Sequence, residues 1–421
     1  MTILRASCRL LARPSVGRRL SSLILSGALA TLLGCSSHAS GGTAAASDAS
    51  SGTDMVLGDS AVAVPDAGSA AGSDAGTDTA TDTAEPQCTS CLFTQPPPAP
   101  HPGGPGPLDL APAQTISYGS GPLESYKQIL VLRPQAAGSY PTVLFAAGKQ
   151  LYQGGGLPGQ LGYGYRAFLE HIASHGYAVA FVRVEQGLLD SDQLRMADDL
   201  LAASQTLWQQ VAAARADQVA YVGHSMGAKV ALLAAWRATA GDANQEHPDP
   251  QAVLAFAAAN EPPPMGTYQD ATDKLKQVPA DVPTWFTLAT GDDDEVAPWN
   301  AAGKSNASAL YQALATPHRQ LLVLHGTGAG DPNPPTKPEL SDDHAAPLSI
   351  EGKNGGAADF AMPASHLDAL DWYGFWKWTV GALDFHFKGG HPSWAYGALR
   401  THGGTTADGQ VLQHAVAAQG W

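Results

Sequence analysis

Short apolar runs alternate with helical patterns along the chain from residue 115 onward. The apolar runs predict strands over 128–132, 142–146, 178–184, 218–222, 252–258, 284–289 and 320–324. Apolar positions at three- and four-residue spacing predict helices over 166–174, 193–214, 228–240, 308–315 and 372–385. Strands joined by such helices form right-handed crossovers. The pattern therefore predicts one α/β domain, with a mostly parallel twisted sheet and helices on both faces.

The alternating pattern places this domain at residues 113–388, between two segments of different composition. Residues 389–421 are rich in Gly and Ala without a clear period, and the sequence assigns them no role. Residues 35–112 consist mostly of Ala, Gly, Ser, Thr and Asp, followed by a Pro-rich run. Between Cys35 and Cys88 there is no aromatic residue, Lys or Arg, so this stretch cannot bury a core. We expect 35–112 to be an extended tether.

The N-terminal end has the pattern of a secretory signal. The first nineteen residues hold five arginines and no acid, and an apolar stretch follows over 20–33. As a helix that stretch would be about 21 Å long, too short for a hydrocarbon core of about 30 Å. We therefore predict a signal peptide over 1–34 rather than a transmembrane helix.

The end of this signal, Leu32-Leu33-Gly34-Cys35, resembles the bacterial lipobox. The resemblance implies that Cys35 carries a diacylglycerol and an amide-linked acyl chain such as palmitate, and that several chains together hold the protein on a membrane. We expect an extracytoplasmic protein, with the outer membrane or cell surface favoured. The alternative is an ordinary secreted protein whose Cys35 is not lipidated.

Charge limits the kinds of partner that the sequence allows, and cysteine content limits the kinds of site. The chain has 23 Lys+Arg against 38 Asp+Glu and no basic run, so we expect no nucleic-acid binding. Cys88 and Cys91 lie in a C-T-S-C loop and, outside the cytoplasm, are expected to form a small disulfide ring. A redox motif is the alternative, but it requires a helix N-terminus that these Pro-rich flanks do not predict. Two cysteines without a nearby His pair do not complete a zinc site.

The most informative residues are Gly223-His-Ser-Met-Gly227, which come directly after a predicted strand and directly before a predicted helix. A G-x-S-x-G sequence in this context is typical of a nucleophile on a tight strand-to-helix turn. The helix N-terminus adds positive potential for a developing anion. Ser225 is the candidate nucleophile, and a helix-capping serine between packing glycines is the alternative. His224 projects from the wrong side of such a turn to act as the base, and we interpret it as structural.

A nucleophilic serine needs a base and an acid that orients the base, and in this kind of fold both follow the serine along the chain. An acidic cluster, Asp292-Asp-Asp-Glu295, comes directly after the predicted strand 284–289, at the sheet edge where catalytic groups collect. Spacing does not choose among these acids, and a solvated turn or a cation site are alternatives. Three histidines follow as candidate bases: His325, His344 and His366.

Longer stretches resemble the α/β-hydrolases, in particular the chlorophyllase-like and the bacterial cutinase or polyester-hydrolase branches. The stretches are Tyr140-Pro-Thr-Val-Leu-Phe, Leu151-Tyr152, His171-Ile-Ala-Ser-His-Gly-Tyr, the Gly223–Gly227 pentapeptide with Lys229, Asp294-Glu-Val-Ala-Pro and Ser365-His-Leu-Asp-Ala-Leu-Asp. The cutinase-like D-x-V-A-P pattern implies that the acid is Asp294. The chlorophyllase-like segment around residue 365 implies that the base is His366, with His344 as the alternative. The histidine does not follow the last strand as closely as in cutinases, and an insertion of unassigned role is expected over 326–362.

The resemblance also implies an oxyanion hole made of two main-chain N–H groups. Met226, directly after the nucleophile, supplies one of them. The other comes by position from Lys149, in a loop where relatives have His-Gly-aromatic and this chain has Ala-Gly-Lys. The chemistry needs no metal and no organic cofactor.

These features favour a serine carboxylic ester hydrolase that uses Ser225, His366 and Asp294 through an acyl-enzyme. The expected partners are a small or polymeric ester substrate and, through the N-terminal lipid, a membrane; we expect a monomer. One alternative keeps the triad for amide cleavage or acyl transfer. Another is a non-catalytic surface binding module that retains the fold. The resemblance concerns fold and chemistry, not the identity of the ester.

Overall fold

In the part of the chain that the structure describes, nine strands form one mixed sheet and two more form a separate hairpin. In chain order the strands are β1 (Gln114–Ser117), β2 (Gln128–Leu132), β3 (Tyr140–Ala146), β4 (Ala178–Val182), β5 (Ala214–His224), β6 (Ala252–Phe256), β7 (Trp285–Gly291), β8 (Arg319–Leu324), β9 (His402–Thr405), β10 (Val411–Gln413) and β11 (Ala415–Gln419). The computed structural model describes residues 96–121, 124–149, 161–184, 192–240, 247–260, 270–298, 306–327, 340, 342–344, 346–347, 367–405 and 411–420.

The order of strands across the sheet is β1-β2-β4-β3-β5-β6-β7-β8-β11. The six strands from β4 to β8 in this order are parallel, whereas β1, β2 and β11 pair antiparallel at the two sides. The prediction of a mostly parallel α/β sheet is therefore confirmed. Because the parallel strands end at one edge, the turns after β3, β5, β7 and β8 meet there.

Helices cover both faces of the sheet, as the sequence pattern predicts. They are α1 (Arg166–Ser174), α2 (Gln193–Gln210), α3 (Met226–Ala240), α4 (Thr272–Leu275), α5 (Ala307–Ala313) and α6 (Lys377–Lys388), and a π-helical turn over Asp371–Trp376 leads into α6. Helices α2 and α3 bury apolar residues against one face of the sheet, and α1 and α6 bury theirs against the other. Across the described ranges, no helix combines the length and hydropathy that a membrane span requires.

The N-terminal edge of the domain differs from the sequence prediction. The spacer was expected to extend to residue 112, but His101 and Gly103 are buried. Two histidines, one in α1 and one directly after it, bind this segment: His171 Nε2 donates to the carbonyl of Pro102 at 2.9 Å, and His175 Nε2 to that of Gly104 at 3.0 Å. A Cβ on Gly103 would lie 1.7 Å from the carbonyl oxygen of Trp372. The Pro-rich run therefore packs on the domain from its first described residues, because its small residues allow close approach.

The C-terminal segment, to which the sequence assigned no role, is part of the domain. Strand β11 extends the sheet beyond β8. The fully buried Lys377 donates to the carbonyls of Leu399, Arg400 and His402 at 3.1, 3.2 and 2.5 Å. These three hydrogen bonds tie the turns before β9 to the start of α6.

Candidate active site

Ser225 lies on a sharp turn between the last residue of β5 and the first residue of α3. Its φ of +56° is in the left-handed region, which a residue with a side chain rarely adopts. Three main-chain hydrogen bonds hold it there. Ser225 N–H donates to Phe256 O at 2.9 Å, and Ser225 O accepts from Ala228 N–H at 3.1 Å and Ala259 N–H at 3.2 Å. Such strain persists only where the surroundings impose it, and it is frequent at functional sites.

The two glycines of the pentapeptide are required by space. A Cβ on Gly223 would lie 2.2 Å from the carbonyl oxygen of Gly227, and a Cβ on Gly227 would lie 2.1 Å from that of Ala146. Both contacts are with main-chain atoms, which have little freedom to move away. The turn therefore packs directly against the end of β3, as the nucleophile interpretation of this pattern expects.

An imidazole lies between Ser225 and an acid, and it belongs to His344. The distance from His344 Nε2 to Ser225 Oγ is 2.8 Å, and the distances from His344 Nδ1 to Asp294 Oδ2 and Oδ1 are 2.9 and 3.0 Å. The Asp294 carboxylate only accepts, so Nδ1 carries the hydrogen and Nε2 is left to accept the Ser225 hydroxyl proton. All three side chains are buried, with Asp294 2% and His344 8% exposed.

This arrangement corrects the sequence prediction for the base. His366 was favoured because its surroundings resemble a chlorophyllase segment, yet the position between Ser225 and Asp294 is filled by His344, the alternative candidate. His366 itself lies outside the described residues, as do Cys35, Cys88 and Cys91. The third candidate, His325, has its Nδ1 3.6 Å from Asp292 Oδ2.

Asp294, the acid that the resemblance favours, differs from its neighbours in its surroundings. Among the four acids of the cluster it alone is buried. Its Oδ1 accepts the main-chain N–H groups of Val296 at 3.0 Å and Ala297 at 2.7 Å, and Thr290 Oγ1 donates to Oδ2 at 3.4 Å. The turn after β7 therefore supplies hydrogen-bond donors to the Asp294 carboxylate and holds it so that it also accepts from His344.

The residues that carry His344 are attached to the ends of β7 and β8. Thr327 N–H donates to Leu340 O at 2.9 Å, and Leu340 N–H donates to Thr327 Oγ1 at 2.8 Å. Asp342 Oδ2 accepts the N–H of Asp292 at 2.8 Å. A Cβ on Gly291 would lie 1.4 Å from the carbonyl oxygen of Asp342, so this contact requires glycine. These contacts hold the described residues around His344 at the sheet edge.

The two expected oxyanion donors, Met226 and Lys149, lie on the turns that follow β5 and β3. Met226 is the first residue of α3, and its N–H is one of the four that a helix leaves without an intrahelical acceptor. The turn after β3 passes beside Ser225, since a Cβ on Gly148 would be 3.1 Å from Ser225 Cβ. Gly148 N–H is engaged by Tyr165 Oη at 3.1 Å. The next residue, Lys149, therefore remains the candidate for the second donor.

Lys229, four residues after the nucleophile, is buried beneath the turn. Its Nζ donates to the carbonyl of Asn260 at 3.1 Å, just beyond the end of β6. Burial, partly offset by Asp270, lowers the pKa of this ammonium to about 8. Lys229 thus connects α3 to the loop whose Ala259 also binds Ser225 O.

The acidic cluster after β7 also has a metal-binding interpretation. Within the described ranges, no group of three or more His, Cys, Asp or Glu side chains is arranged to hold a metal ion. The acids other than Asp294 in the cluster after β7 are exposed, as the solvated-turn alternative expects for most of its members.

Comparison with known proteins shows a similarity to one family over part of the chain. Residues 112–253 match the family model described as Chlorophyllase, and this segment is about a third of the chain. It contains Lys149, Ser225 and Met226, whereas Asp294 and His344 lie beyond it and rest on the geometry alone. No curated protein matches the chain. Chlorophyllases are a family within the α/β-hydrolase superfamily. The strand order and the strained serine turn agree with the α/β-hydrolase fold, and residues 112–253 are similar to the chlorophyllase family within that superfamily.

Proposed function

We propose that this α/β-hydrolase is a serine carboxylic ester hydrolase with Ser225 as nucleophile, His344 as base and Asp294 as the orienting acid. One observation carries the proposal: the His344 imidazole is within hydrogen-bond distance of both Ser225 Oγ and the Asp294 carboxylate. Because a carboxylate only accepts, the hydrogen belongs on Nδ1, and Nε2 is the nitrogen that acts as base.

Acylation begins when His344 Nε2 takes the hydroxyl proton of Ser225 as Oγ attacks the ester carbonyl carbon. The carbonyl oxygen becomes an oxyanion, which the N–H groups of Met226 and Lys149 stabilise. His344 then gives its proton to the leaving alkoxide, the C–O bond breaks, and the alcohol departs. An acyl group remains on Ser225.

Deacylation repeats these steps with water. His344 removes a proton from a water molecule that attacks the acyl carbonyl, and the tetrahedral intermediate collapses to release the acid and restore Ser225. Asp294 stabilises the imidazolium that forms in each half and keeps the Nδ1 hydrogen in place. Because this carboxylate accepts two main-chain N–H groups besides His344, it stays fixed while the imidazole charges and discharges.

We also propose that the enzyme acts outside the cytoplasm, held on a membrane by lipid on Cys35. The support is the lipobox-like Leu32-Leu33-Gly34-Cys35 at the end of a signal-like segment. Expression of the full chain in a bacterium that processes lipoproteins tests this. The wild type is expected in the membrane fraction and Cys35→Ala in the soluble or unprocessed fraction. Equal partition of the two would reject the lipid anchor.

The direct test of the proposed reaction is hydrolysis of p-nitrophenyl esters, from acetate to palmitate, by residues 36–421 produced without the lipid. Ser225→Ala and His344→Ala are expected to lower kcat/KM by about 10⁴-fold or more. His366→Ala is the matched control and is expected to retain activity. A folded wild type inert on every ester, or one in which Ser225→Ala is as active as wild type, would contradict the proposal. Faster cleavage of p-nitroanilide amides than of the matched esters would favour the amidase alternative.

A further inference from the structure

A chain of hydrogen bonds runs behind the three proposed catalytic groups. Gly148 N–H donates to Tyr165 Oη at 3.1 Å, Tyr165 Oη lies 2.8 Å from His224 Nδ1, and His224 Nε2 lies 2.9 Å from the main-chain oxygen of His344. Tyr165 is fully buried and His224 is 1% exposed. These hydrogen bonds therefore lie in a buried environment, where a polar group without a hydrogen-bond partner costs stability.

The direction of each hydrogen bond follows from chemistry. The His344 main-chain oxygen can only accept, so His224 Nε2 carries the hydrogen. Burial, and then the neighbouring His344, lower the pKa of His224 well below its ordinary value, so the ring is neutral and its Nδ1 accepts. The hydroxyl of Tyr165 supplies that hydrogen, and its oxygen accepts from Gly148.

This series of hydrogen bonds links three segments that are far apart in sequence. Gly148 precedes the proposed oxyanion donor Lys149, His224 precedes the nucleophile, and the carbonyl at the other end belongs to the proposed base. We propose that Tyr165 and His224 are a positioning pair, which sets the His344 main chain and the Gly148–Lys149 peptide against Ser225. This inference rests on the proposed ester hydrolysis and names two residues on which its rate depends.

The neutral state of His224 serves the same reaction. Its ring centroid is 5.2 Å from that of His344, which becomes an imidazolium in the proposed mechanism. A second positive charge at that distance in a buried site would oppose the charging of His344. Because one ring nitrogen of His224 donates to a carbonyl and the other accepts from a hydroxyl, the hydrogen-bond pattern is complete with one proton on the ring.

Tyr165→Phe tests the pair with little change in packing. The ring of Tyr165 packs against Phe145 and Phe181, with centroids 4.9 and 6.2 Å away, and phenylalanine preserves both contacts. Only the hydroxyl is lost, so His224 Nδ1 and Gly148 N–H each lose that partner. A small displacement of reacting groups lowers turnover strongly. We expect kcat to fall by about 10- to 100-fold and KM to change by less than about threefold.

Tyr177→Phe is the matched control. Tyr177 is also fully buried, and its hydroxyl donates to Asp384 Oδ1 at 2.5 Å, on a helix that carries none of the proposed catalytic groups. This variant loses a buried tyrosine hydroxyl and a hydrogen bond just as Tyr165→Phe does. We expect it to lower thermal stability while kcat stays within about twofold of wild type, since catalytic geometry is unaffected.

A second pair of variants tests His224. His224→Gln keeps one donor and one acceptor, whereas His224→Leu keeps neither. We expect His224→Leu to lose about 100-fold in kcat, His224→Gln to recover part of it, and Tyr165→Phe combined with His224→Leu to cost no more than His224→Leu alone, because both act through one chain. Thermal unfolding of each variant, measured in parallel, identifies any that fails to fold.

The outcomes separate this inference from the proposed function on which it rests. Each variant is assayed for p-nitrophenyl ester turnover and for the rate of Ser225 labelling by a fluorophosphonate, beside wild type and Ser225→Ala. If wild type shows neither reaction in a Ser225-dependent way, the proposed function fails and the inference with it. If wild type shows both, but Tyr165→Phe and His224→Leu match it or lose no more than Tyr177→Phe, the positioning pair alone is rejected.

Discussion

Asp342 Oδ2 accepts the main-chain N–H of Asp292, and these two residues lie two positions before His344 and Asp294 respectively. One hydrogen bond of 2.8 Å therefore joins the segment that carries the proposed base to the turn that carries its acid. This hydrogen bond holds the two segments together independently of the one between His344 and Asp294, the proposed base and acid.

Asp342→Ala is expected to lower kcat by about tenfold or more, because the His344 segment loses its attachment beside the acid. Asp342→Asn keeps an acceptor oxygen and should fall between Ala and wild type. The measurement is kcat on a p-nitrophenyl ester, with the exposed Asp293→Ala as control. Equal activity of Asp342→Ala and Asp293→Ala would show that this hydrogen bond does not position the base.

Gly291→Ala should disturb the same contact between β7 and the segment that carries His344. Its Cβ would be 1.4 Å from the Asp342 carbonyl oxygen, so β7 and the His344 segment must separate. We expect loss of activity and a lower melting temperature. Gly121→Ala is the control, since its Cβ would make only ordinary contact at 3.5 Å. An active, equally stable Gly291→Ala would mean that the two segments are not in this contact.

The strain at Ser225 predicts a difference between two inactive variants. Ser225→Ala and Ser225→Gly both lack the hydroxyl, but only glycine adopts a φ of +56° without steric cost. We expect Ser225→Gly to be about 1 kcal/mol more stable than Ser225→Ala. Urea unfolding of both variants measures this. Greater stability of Ser225→Ala would indicate that the turn is not left-handed.

Buried histidines predict instability in acid. Burial lowers the pKa of both His101 and His171 to about 3, so between the ordinary value of 6.5 and about 3 the unfolded chain binds more protons than the folded one. The free energy of unfolding should therefore fall as the pH falls through that range. His171→Gln, which keeps a donor for Pro102 O, should lessen the slope; the exposed His391→Gln is the control. Parallel pH profiles for wild type and His171→Gln would contradict this.

Lys229 predicts a change in stability at alkaline pH. Its folded pKa of about 8 lies below the ordinary 10.5, so the unfolded chain binds more protons between these values. The stability of wild type relative to Lys229→Met should therefore rise with pH from about 8 to 10.5. Urea titrations of both proteins at several pH values measure the difference. A difference independent of pH would mean that the ammonium is not buried.

The parts of the site that could be predicted are those where local sequence determines local geometry. Apolar periodicity gave the parallel strands, and Ser225 was recognisable because a nucleophile turn needs glycines at fixed offsets between a strand and a helix. Asp294 was selected by resemblance, and the burial of this one acid provides the physical reason.

The parts that could not be predicted depend on contacts between distant segments. His344 was ranked below His366 because the length of chain between a strand and its histidine carries no signal, whereas the contacts that place it, through Asp342 and Gly291, are tertiary. The Pro-rich run was interpreted wholly as a spacer because composition does not reveal that His171 and His175 bind its carbonyls. Strand β11 has a weak pattern of its own and forms by pairing with β8.

The paired hydrogen bonds between Thr327 and Leu340 have a consequence for how this enzyme can vary. They hold Thr327 and Leu340 next to each other at the sheet edge, so the sequence between these two residues forms a closed loop. The entropy of closing such a loop changes slowly with its length. A change in the length of the sequence between Thr327 and Leu340 should therefore leave His344 in position as long as these two hydrogen bonds form.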